Sequence, residues 1–382
     1  MSSVASVGSG HQQAEAFLAN AFQAKPALTT ITEFKETKTL GGGKSGASVS
    51  RGTFRNQPAI QKLYQIRDHE DIFQTKQNIN MKAEAYRTEK QKKDKGDAVL
   101  TYIRSVRDIY LSICLQNKRS NGELLIPKLY QYGVRYNNGV QLYMIMEDIS
   151  TSGFKELTKF DFKAYRNSPQ NTPARKRNID KNIKLLLRLT QALLVKHKSI
   201  QYKNESVGCH RDLHPGNVFF KETQNDYAIK FIDFDLSITS SDILNQDKRC
   251  DRKTMSGSAV KKALGNYNVT FGTYLKRNFL LNTKPLHKMF RTPLVKNDAD
   301  LYMLAGYVSE FLANTETITR IQTAINTLNR FSKRSRTSSG GSRASKASSL
   351  YEPNEAEKIK FLNVLEQNLK KEIQSTNTEL KF

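Results

Sequence analysis

The chain has 382 residues and a formal net charge of +25, from 61 basic and 36 acidic side chains. This length exceeds what one compact core usually holds, so two lobes with tails are expected. No apolar run approaches the roughly 20 residues that span a bilayer, and the three cysteines lack the spacing of a metal site or a disulfide framework, which is typical of a reducing, cytosolic compartment.

The excess of positive charge indicates the partners of the protein rather than its fold. A nucleic acid, an anionic lipid surface or a soluble polyanion would each complement such a surface. At the N-terminus, residues 1–13 lack the basic-then-apolar order of a secretory signal. We therefore expect residues 1–30 to be a flexible lead that contains one short helix, over residues 14–24.

A glycine-rich segment follows a predicted strand that begins near residue 34. Residues 40–46 read Leu-Gly-Gly-Gly-Lys-Ser-Gly, and the residues after them are predicted to form a second strand. Glycines let backbone N–H groups approach phosphate oxygens closely. A Walker A loop would need glycine in place of Lys38, and a dinucleotide-binding fold would need a helix directly after the last glycine. Taken alone, the pattern predicts a glycine loop between two strands, which is equally typical of a flexible turn.

A lysine, Lys62, lies in the next predicted strand among apolar neighbours. A cation in such a strand needs an acidic partner. Two candidates follow: Glu84, in the polar helical segment 69–95, and Asp108, in the more apolar helix 97–116. The spacing from Lys62 favours Glu84, whereas the apolar pattern that follows the acid favours Asp108. We predict Glu84 as the partner.

Two strands around a turn at residues 137–139 complete the first lobe, and the second of them runs into a charged segment at Glu147. The second lobe is predicted to begin near Ser152. Its strongest helical signal is the amphipathic segment 179–198.

An acid, an amide and a second acid surround a predicted hairpin in this second lobe. Asp212 and Asn217 precede the hairpin, whose strands are residues 218–220 and 227–232, and Asp233 follows it. Because a hairpin brings its two ends together, we expect these three side chains to converge. Phosphoryl transfer from a nucleotide uses such a set: one carboxylate orients the hydroxyl, and an amide and a carboxylate hold Mg²⁺ on the phosphates.

These motifs resemble those of a known superfamily. The sequence His210-Arg211-Asp212, followed by Asn217 and then by Asp233-Phe234-Asp235, resembles the catalytic loop and the metal-binding motif of the protein-kinase-like superfamily. The resemblance extends over residues 34–313, with the motifs in the order that the superfamily requires.

The resemblance implies an α+β, bilobal protein-kinase-like fold. A small antiparallel-sheet N-lobe would occupy residues 31–150, and a mostly helical C-lobe with a long basic activation segment would occupy residues 151–331. Residues 332–350 are rich in serine, lysine and arginine and are predicted to be a linker. Residues 351–382 are predicted to form an amphipathic helix.

The resemblance also implies the roles of the site residues. Asp212 would orient the substrate hydroxyl, with Lys62 and Asn217 completing the catalytic set. Asn217 and Asp233 would hold Mg²⁺ or Mn²⁺, and Asp235, in place of the usual glycine, would add a further carboxylate. The residues implied for ATP binding are Gly41, Gly42, Gly43, Ser45, Gly46, Lys62, Glu84, Met146, Glu147 and Ile149.

The run from residue 142 to residue 149 resembles the fifth strand and hinge of a kinase. By this resemblance, Met146 would guard the back of the adenine pocket, and backbone groups of Glu147 and Ile149 would bond the adenine edge. Further along, Asp300 resembles the buried aspartate that braces the catalytic-loop backbone.

Two features bear on the substrate. Arg211 matches the protein-kinase form, in which an arginine awaits an anion on the activation segment. His214, two residues after Asp212, resembles instead the loop of aminoglycoside and choline phosphotransferases. The blend most resembles divergent effector kinases that bacterial pathogens deliver into host cells, which implies a Ser/Thr protein kinase. A small-molecule phosphotransferase, a silent polyanion- or membrane-binding domain, and transfer of the nucleotide itself are the alternatives.

Two basic segments are the expected sites of anionic partners. Residues 241–297 hold 12 Lys and Arg against 3 Asp, and such clusters repel one another unless they are spread in solvent or joined by an anion. An inositol polyphosphate or a phosphoinositide head group would meet this demand, and so would a protein substrate docked on a basic loop. Residues 332–350 would serve as a linker by default, or else as a peripheral membrane tether or an autophosphorylation tract. Nucleic acid is the less favoured partner.

Overall fold

The computed structural model describes residues 10–66, 90–237 and 355–379, together with Asp300, Leu301, Leu304 and Tyr307. Within these ranges the description leaves out residues 24, 32, 43–46, 163, 165, 166, 170, 171, 200, 203, 204, 207–209, 211 and 225.

The chain divides into two compact units. The first consists of Met1–Lys155 and Lys230–Gln246, and the second of Glu156–Ile229 and Asp247–Phe382. The predicted partition placed the boundary at residue 150 and kept the stretch from residue 230 onwards in the second lobe. The structure differs in assigning Lys230–Gln246, which includes Asp233, to the first unit.

The first unit is built on a five-stranded antiparallel sheet with strand order β1-β2-β3-β7-β6. Its strands are β1 (Phe34–Gly42), β2 (Ala47–Phe54), β3 (Gln57–Ile66), β6 (Leu129–Tyr136) and β7 (Val140–Glu147). A separate two-stranded ribbon contains β4 (Arg119–Ser120) and β5 (Glu123–Leu124).

The hairpin turns of this sheet follow from their residues. Arg55 and Asn56 join β2 to β3 with φ angles of 50° and 62°, as a two-residue type I′ turn requires. Asn137, Asn138 and Gly139 join β6 to β7. The last two have φ angles of 50° and 116°, and glycine adopts the second value without strain. The turn between β6 and β7 lies where the sequence predicts it, at residues 137–139.

Two helices pack on the first unit's sheet and on each other. Helix α1 (Gly10–Ala21) buries Ala14, Phe17, Leu18 and Ala21, whose spacing defines one helical face. Helix α2 (Lys90–Leu115) is longer than the predicted helix 97–116, and its C-terminal half is buried. It contacts α1 on one side and strands β3, β6 and β7 on the other.

Backbone and side-chain bonds hold the stretch from Lys230 onwards in the first unit. The Phe231 N–H donates to the carbonyl of Leu125 at 2.9 Å, and the Lys230 ammonium donates to the carbonyl of Ile126 at 3.2 Å. The Phe234 N–H donates to Asp108 at 2.8 Å. These bonds explain why residues from Lys230 to Phe234 group with the first unit.

The described part of the second unit is mostly helical. Its long helices are α3 (Pro173–Ser199) and α4 (Glu355–Glu379), which pack against each other. Short strands accompany them: β8 (Lys155–Glu156) where the chain enters the unit, then β9 (Gln201–Tyr202) and β10 (Glu205–Ser206). A single 3₁₀ turn covers Leu157–Lys159.

Helix α3 has a capped start and a partly buried anchor. The Thr172 hydroxyl accepts a hydrogen bond from the N–H of Arg175 at 3.3 Å. Pro173 takes the first helical position, where a backbone N–H has no acceptor within the helix, so the missing N–H of proline costs no hydrogen bond. Arg188 of α3 pairs with Asp226, with 2.6 Å between Nε and Oδ1. Since Asp226 lies between β11 (Val218–Glu222) and β12 (Tyr227–Phe231), this pair fixes the predicted hairpin on α3.

The predicted fold class is confirmed: the first unit has an antiparallel sheet with helices, and helices dominate the described part of the second. None of the described helices combines the length and the apolar character that crossing a membrane requires.

Candidate active site

Strand β3 presents two functional side chains on one face of the sheet. Lys62 pairs across the sheet with Val49 and Met144, and Tyr64 is two residues further along. Because side chains alternate along a strand, Lys62 and Tyr64 point to the same side. Sequence reasoning selected Lys62 and missed Tyr64, although this alternation would have indicated it.

Lys62 lies between two carboxylates. Its Nζ atom is 2.9 Å from Asp108 Oδ2 and 3.0 Å from Asp233 Oδ1. The lysine side chain is 13% exposed, so burial disfavours the ammonium, but the charges and hydrogen bonds of the two acids outweigh burial and raise the Lys62 pKa above its usual value. Lys62 therefore remains a cation at all physiological pH values.

The observed partner of Lys62 corrects the preference for Glu84. Asp108 makes the pair because α2 is continuous to Leu115 and its C-terminal half packs against β3. Chain distance from Lys62, which favoured Glu84, did not take the length of this helix into account. Glu84 itself lies outside the described residues.

Asp108 is fully buried and accepts three hydrogen bonds. Oδ2 accepts the Lys62 ammonium and also the Tyr64 hydroxyl at 2.5 Å, and Oδ1 accepts the backbone N–H of Phe234 at 2.8 Å. Burial, followed by the charge of Asp108, raises the pKa of Tyr64 well above its usual value, so its hydroxyl stays a donor. Asp108 thus ties the strand lysine to the backbone of the Asp-Phe-Asp motif.

The two acids of the Asp-Phe-Asp motif differ in their surroundings. The Asp233 side chain is 31% exposed and its residue has a φ angle of 66°, in the left-handed region. Asp235 is only 6% exposed, and Arg107 donates to its backbone carbonyl at 3.1 Å. Burial, with the charges of Asp233 and Asp108, raises the pKa of Asp235 to about 8. Exposure therefore favours Asp233 over Asp235 as the carboxylate that faces a metal.

A small cavity of about 20 Å³ lies beside Lys62. Lys62, Asp108 and Asp233 line one part of it, and Met144, Met146 and Phe234 line another. This volume suits about one water molecule. Met146 thus lies in the wall of a cavity next to Lys62, and its role at the back of a nucleotide pocket stays a prediction.

The segment predicted as a hinge is held by its own side chains. The Glu147 carboxylate accepts the Ser152 hydroxyl at 2.8 Å and the Lys230 ammonium at 3.3 Å. Burial opposes ionisation of Glu147, but these two bonds lower its pKa below the usual value. Ile149 is buried, and its carbonyl accepts the N–H groups of Ser152 and Phe154 at 3.2 and 3.1 Å.

Lys230 is a further residue that sequence reasoning missed. It is buried, lies 5.1 Å from the centre of the Phe154 ring and bonds Glu147. Its signal in the sequence is a lysine inside an apolar strand three residues before Asp233, the same kind of signal that pointed to Lys62. It links the segment predicted as a hinge to strand β12, which ends two residues before Asp233.

Two of the glycine-loop residues lie in described structure. Gly41 and Gly42 end strand β1, and Gly42 pairs with Ser48 of β2. Gly41 has a φ angle of 110°, which only glycine adopts without strain. The other predicted members of this loop, Gly43, Ser45 and Gly46, lie outside the described residues.

In the second unit, Asp212 and Asn217 lie together. The Asn217 side-chain amide donates to the Asp212 carbonyl at 2.9 Å and to Asp212 Oδ2 at 3.3 Å. Since the Nδ2 atom faces Asp212, the amide oxygen of Asn217 is directed away from it. Arg211, between His210 and Asp212, lies outside the described residues.

Asp300 braces this loop from inside the second unit, as the sequence predicts. Its carboxylate accepts the backbone N–H of His210 at 2.7 Å and pairs with the buried Lys196. Burial opposes its ionisation, yet Lys196, His197 and His210 lower the Asp300 pKa below its usual value. Tyr307 adds a second support, because its hydroxyl donates to the carbonyl of Leu213 at 2.6 Å.

The donor atoms of the predicted metal ligands suit Mg²⁺. An Asn217 amide oxygen and an Asp233 carboxylate are hard oxygen ligands, and Mg²⁺ on a nucleotide needs only one or two protein carboxylates because phosphates and water supply the rest. Among the described residues there is no cluster of three or more His, Cys, Asp or Glu side chains placed to bind a metal. The fit to Mg²⁺ therefore rests on the chemistry of the two oxygen donors.

Comparisons with known proteins leave the family open. No family model matches the chain, and no curated protein matches it. Among solved structures, the chain is similar to a double mutant of the Mycobacterium tuberculosis PknI kinase domain, with 12% sequence identity and a TM-score of 0.29. The match covers 56% of this chain and 65% of that chain, less than two thirds of its length.

Proposed function

We propose that the protein is an ATP- and magnesium-dependent phosphotransferase that moves the γ-phosphate to a hydroxyl group, with Ser or Thr of a protein as the favoured acceptor. The observation that carries the proposal is Lys62, a buried cation held between Asp108 and Asp233. A fixed ammonium next to a partly exposed carboxylate supports a role in binding nucleotide phosphates and their metal. Mn²⁺ would replace Mg²⁺ at oxygen ligands of this kind.

The residues of the second unit support the other half of the reaction. Asp212 would accept a hydrogen bond from the attacking hydroxyl, and Asn217 would contribute an amide oxygen to the metal. Chemistry of this type depends on positioning and on neutralising charge. The braces from Asp300 and Tyr307 supply such positioning for the Asp212 loop.

The acceptor and the regulator are inferred from sequence. Arg211 favours a protein substrate, whereas His214 favours a small alcohol as the second candidate acceptor. The basic segments 241–297 and 332–350 favour regulation by a polyanion such as an inositol polyphosphate, or binding to an anionic membrane.

The test is transfer of label from γ-³²P-ATP with Mg²⁺, offered to mixed proteins and, separately, to aminoglycosides, choline and inositol. We expect label on protein. Asp212→Asn should lower the rate about 10²- to 10⁴-fold, as the loss of a general base does, and Asp233→Ala should abolish it. The matched control is Asp161→Asn, because Asp161 is exposed in the same unit as Asp212.

Each other outcome has a defined meaning. Label only on small alcohols supports the second candidate acceptor. A rate that survives both Asp212→Asn and Asp233→Ala contradicts the proposed site. Tight binding of a polyanion with no transfer to any acceptor contradicts the enzyme and favours a binding domain.

A further inference from the structure

His214 lies two residues after Asp212, and its ring is held by the loop in a defined orientation. The backbone N–H of Gly216 donates to His214 Nδ1 at 3.0 Å. A Cβ atom on residue 216 would lie 2.9 Å from His214 Cε1 and 3.0 Å from Nδ1, closer than real contacts allow. Glycine at this position therefore leaves the space that the imidazole ring occupies.

The bond to Nδ1 sets the tautomer of the ring. A ring nitrogen that accepts a hydrogen bond carries no proton, so the proton of the neutral His214 imidazole lies on Nε2. Nε2 lies 3.7 Å from Asp212 Oδ2. The ring nitrogen that carries the proton thus lies near the carboxylate that the proposed function assigns to the substrate hydroxyl.

A tight turn fixes the distance between the two side chains. The N–H of His214 donates to the Asp212 carbonyl at 2.8 Å, and the N–H of Asn217 donates to the His214 carbonyl at 2.8 Å. The Asn217 amide approaches the same oxygen, Asp212 Oδ2, at 3.3 Å. Two donor nitrogens, one on the Asn217 side chain and one on the His214 ring, therefore lie 3.3 and 3.7 Å from Oδ2.

We propose that His214 is a positioning residue for Asp212: its Nε2–H holds Oδ2 and thereby directs the other carboxylate oxygen, Oδ1, to the substrate hydroxyl. This inference rests on the proposed function. Separations in catalytic hydrogen bonds are often long without substrate and shorten when it binds, so the 3.7 Å separation is expected to become a hydrogen bond in the complex. Because misplacing a reacting group by about 1 Å costs up to about 100-fold in rate, losing this donor should lower kcat measurably.

Two substitutions separate the two ring nitrogens. In His214→Gln the side-chain amide nitrogen reaches the position of Nε2, so the donor to Asp212 is kept. In His214→Asn the shorter amide reaches only the position of Nδ1, so the bond with Gly216 is kept and the donor to Asp212 is lost. A residue that only fills the turn would be replaced better by Asn than by Gln.

We expect His214→Gln to keep kcat within about threefold, and His214→Asn to lower kcat about 10- to 100-fold, with the KM for ATP and the melting temperature unchanged. Full activity in His214→Asn overturns the proposal. So does an equal loss in both variants, which indicates a purely structural role.

A second measurement does not depend on activity. The ¹⁵N spectrum of histidine-labelled protein at alkaline pH, where imidazole is neutral, should show the Nε2–H tautomer for His214, identified by the signal that disappears in His214→Gln. Asp212→Asn should shift that signal. An Nδ1–H tautomer overturns the inference even if the enzyme is active, whereas the expected tautomer without any phosphoryl transfer overturns the proposed function and leaves the geometry of His214 intact.

Discussion

Asp108 shows how one buried carboxylate organises the first unit's candidate residues. A buried charge is tolerated only if it is paired and hydrogen-bonded. Asp108 meets this demand with Lys62, the Tyr64 hydroxyl and the N–H of Phe234, which come from two different segments of the chain. Each donor that satisfies Asp108 is therefore also fixed in place, and Asp233, the neighbour of Phe234, is fixed with them.

Asp235 makes the stability of the protein depend on pH. Burial and the charges of Asp233 and Asp108 raise its pKa from 3.8 to about 8, so between these values the folded protein holds a proton that the unfolded chain has released. Stability is then fully present below the lower value and falls as pH rises towards the upper one. We predict that Asp235→Asn, which stays neutral with nearly the same shape, flattens this fall.

The measurement is the midpoint of urea unfolding at several pH values from about 4 to about 8. Asp161→Asn, at an exposed position, serves as the control and should keep the slope of the wild type. A fall that persists unchanged in Asp235→Asn would assign the pH dependence to another group.

At the scale of elements, helix α1 completes the packing of α2. Tyr110 of α2 donates to Glu15 at 2.6 Å, and Gln116 donates to Gln13 at 2.5 Å, just beyond the end of α2. Phe17 meets Tyr132 of β6 edge to face, with 5.9 Å between ring centres. Helix α2, which carries Asp108, is therefore held between the sheet and α1.

We predict that Leu18→Ala destabilises the protein by about 2–5 kcal/mol, because Leu18 is 4% exposed in the contact between α1 and the rest of the unit. The matched control is Leu28→Ala, the same substitution at a residue that is 60% exposed, where a change within about 0.5 kcal/mol is expected. Denaturant unfolding of both variants checks this. Equal losses of unfolding free energy in Leu18→Ala and Leu28→Ala would show that burying Leu18 of α1 adds nothing to stability.

The sequence predicted those elements whose signals are local. The turn at Asn138 and Gly139 and the hairpin after Asn217 depend on residues next to each other in the chain, and both form where they were expected. The partner of Lys62 depends instead on the length of α2 and on which of its turns meets β3. The placement of Lys230 onwards likewise depends on bonds to Leu125 and Ile126, more than 100 residues earlier in the chain. Such tertiary bonds leave no local pattern.

At the scale of the whole molecule, the net charge of +25 is the dominant feature. Excess charge of one sign repels itself and disfavours the compact state, so anions stabilise such a protein in two distinguishable ways. Simple salt screens all charges, so its stabilising effect depends on the ionic strength of the buffer. A multivalent anion that binds a specific cluster acts at low concentration and stabilises by mass action.

We predict that inositol hexakisphosphate binds the basic segment and, at micromolar concentration, raises the melting temperature in buffer of fixed ionic strength. The double substitution Lys261→Gln/Lys262→Gln in this segment should weaken the binding at least about tenfold, since each lysine near an anionic surface contributes about 1 kcal/mol. The matched control removes the same charge from another adjacent pair, Lys370→Gln/Lys371→Gln, which lies exposed on α4. It should leave the affinity within about twofold, because an adjacent pair outside the binding cluster acts only through screened, long-range attraction. Equal weakening by both pairs, or an equal rise in melting temperature with sulfate at the same ionic strength, would show that the charge acts diffusely and that the basic segment holds no anion site.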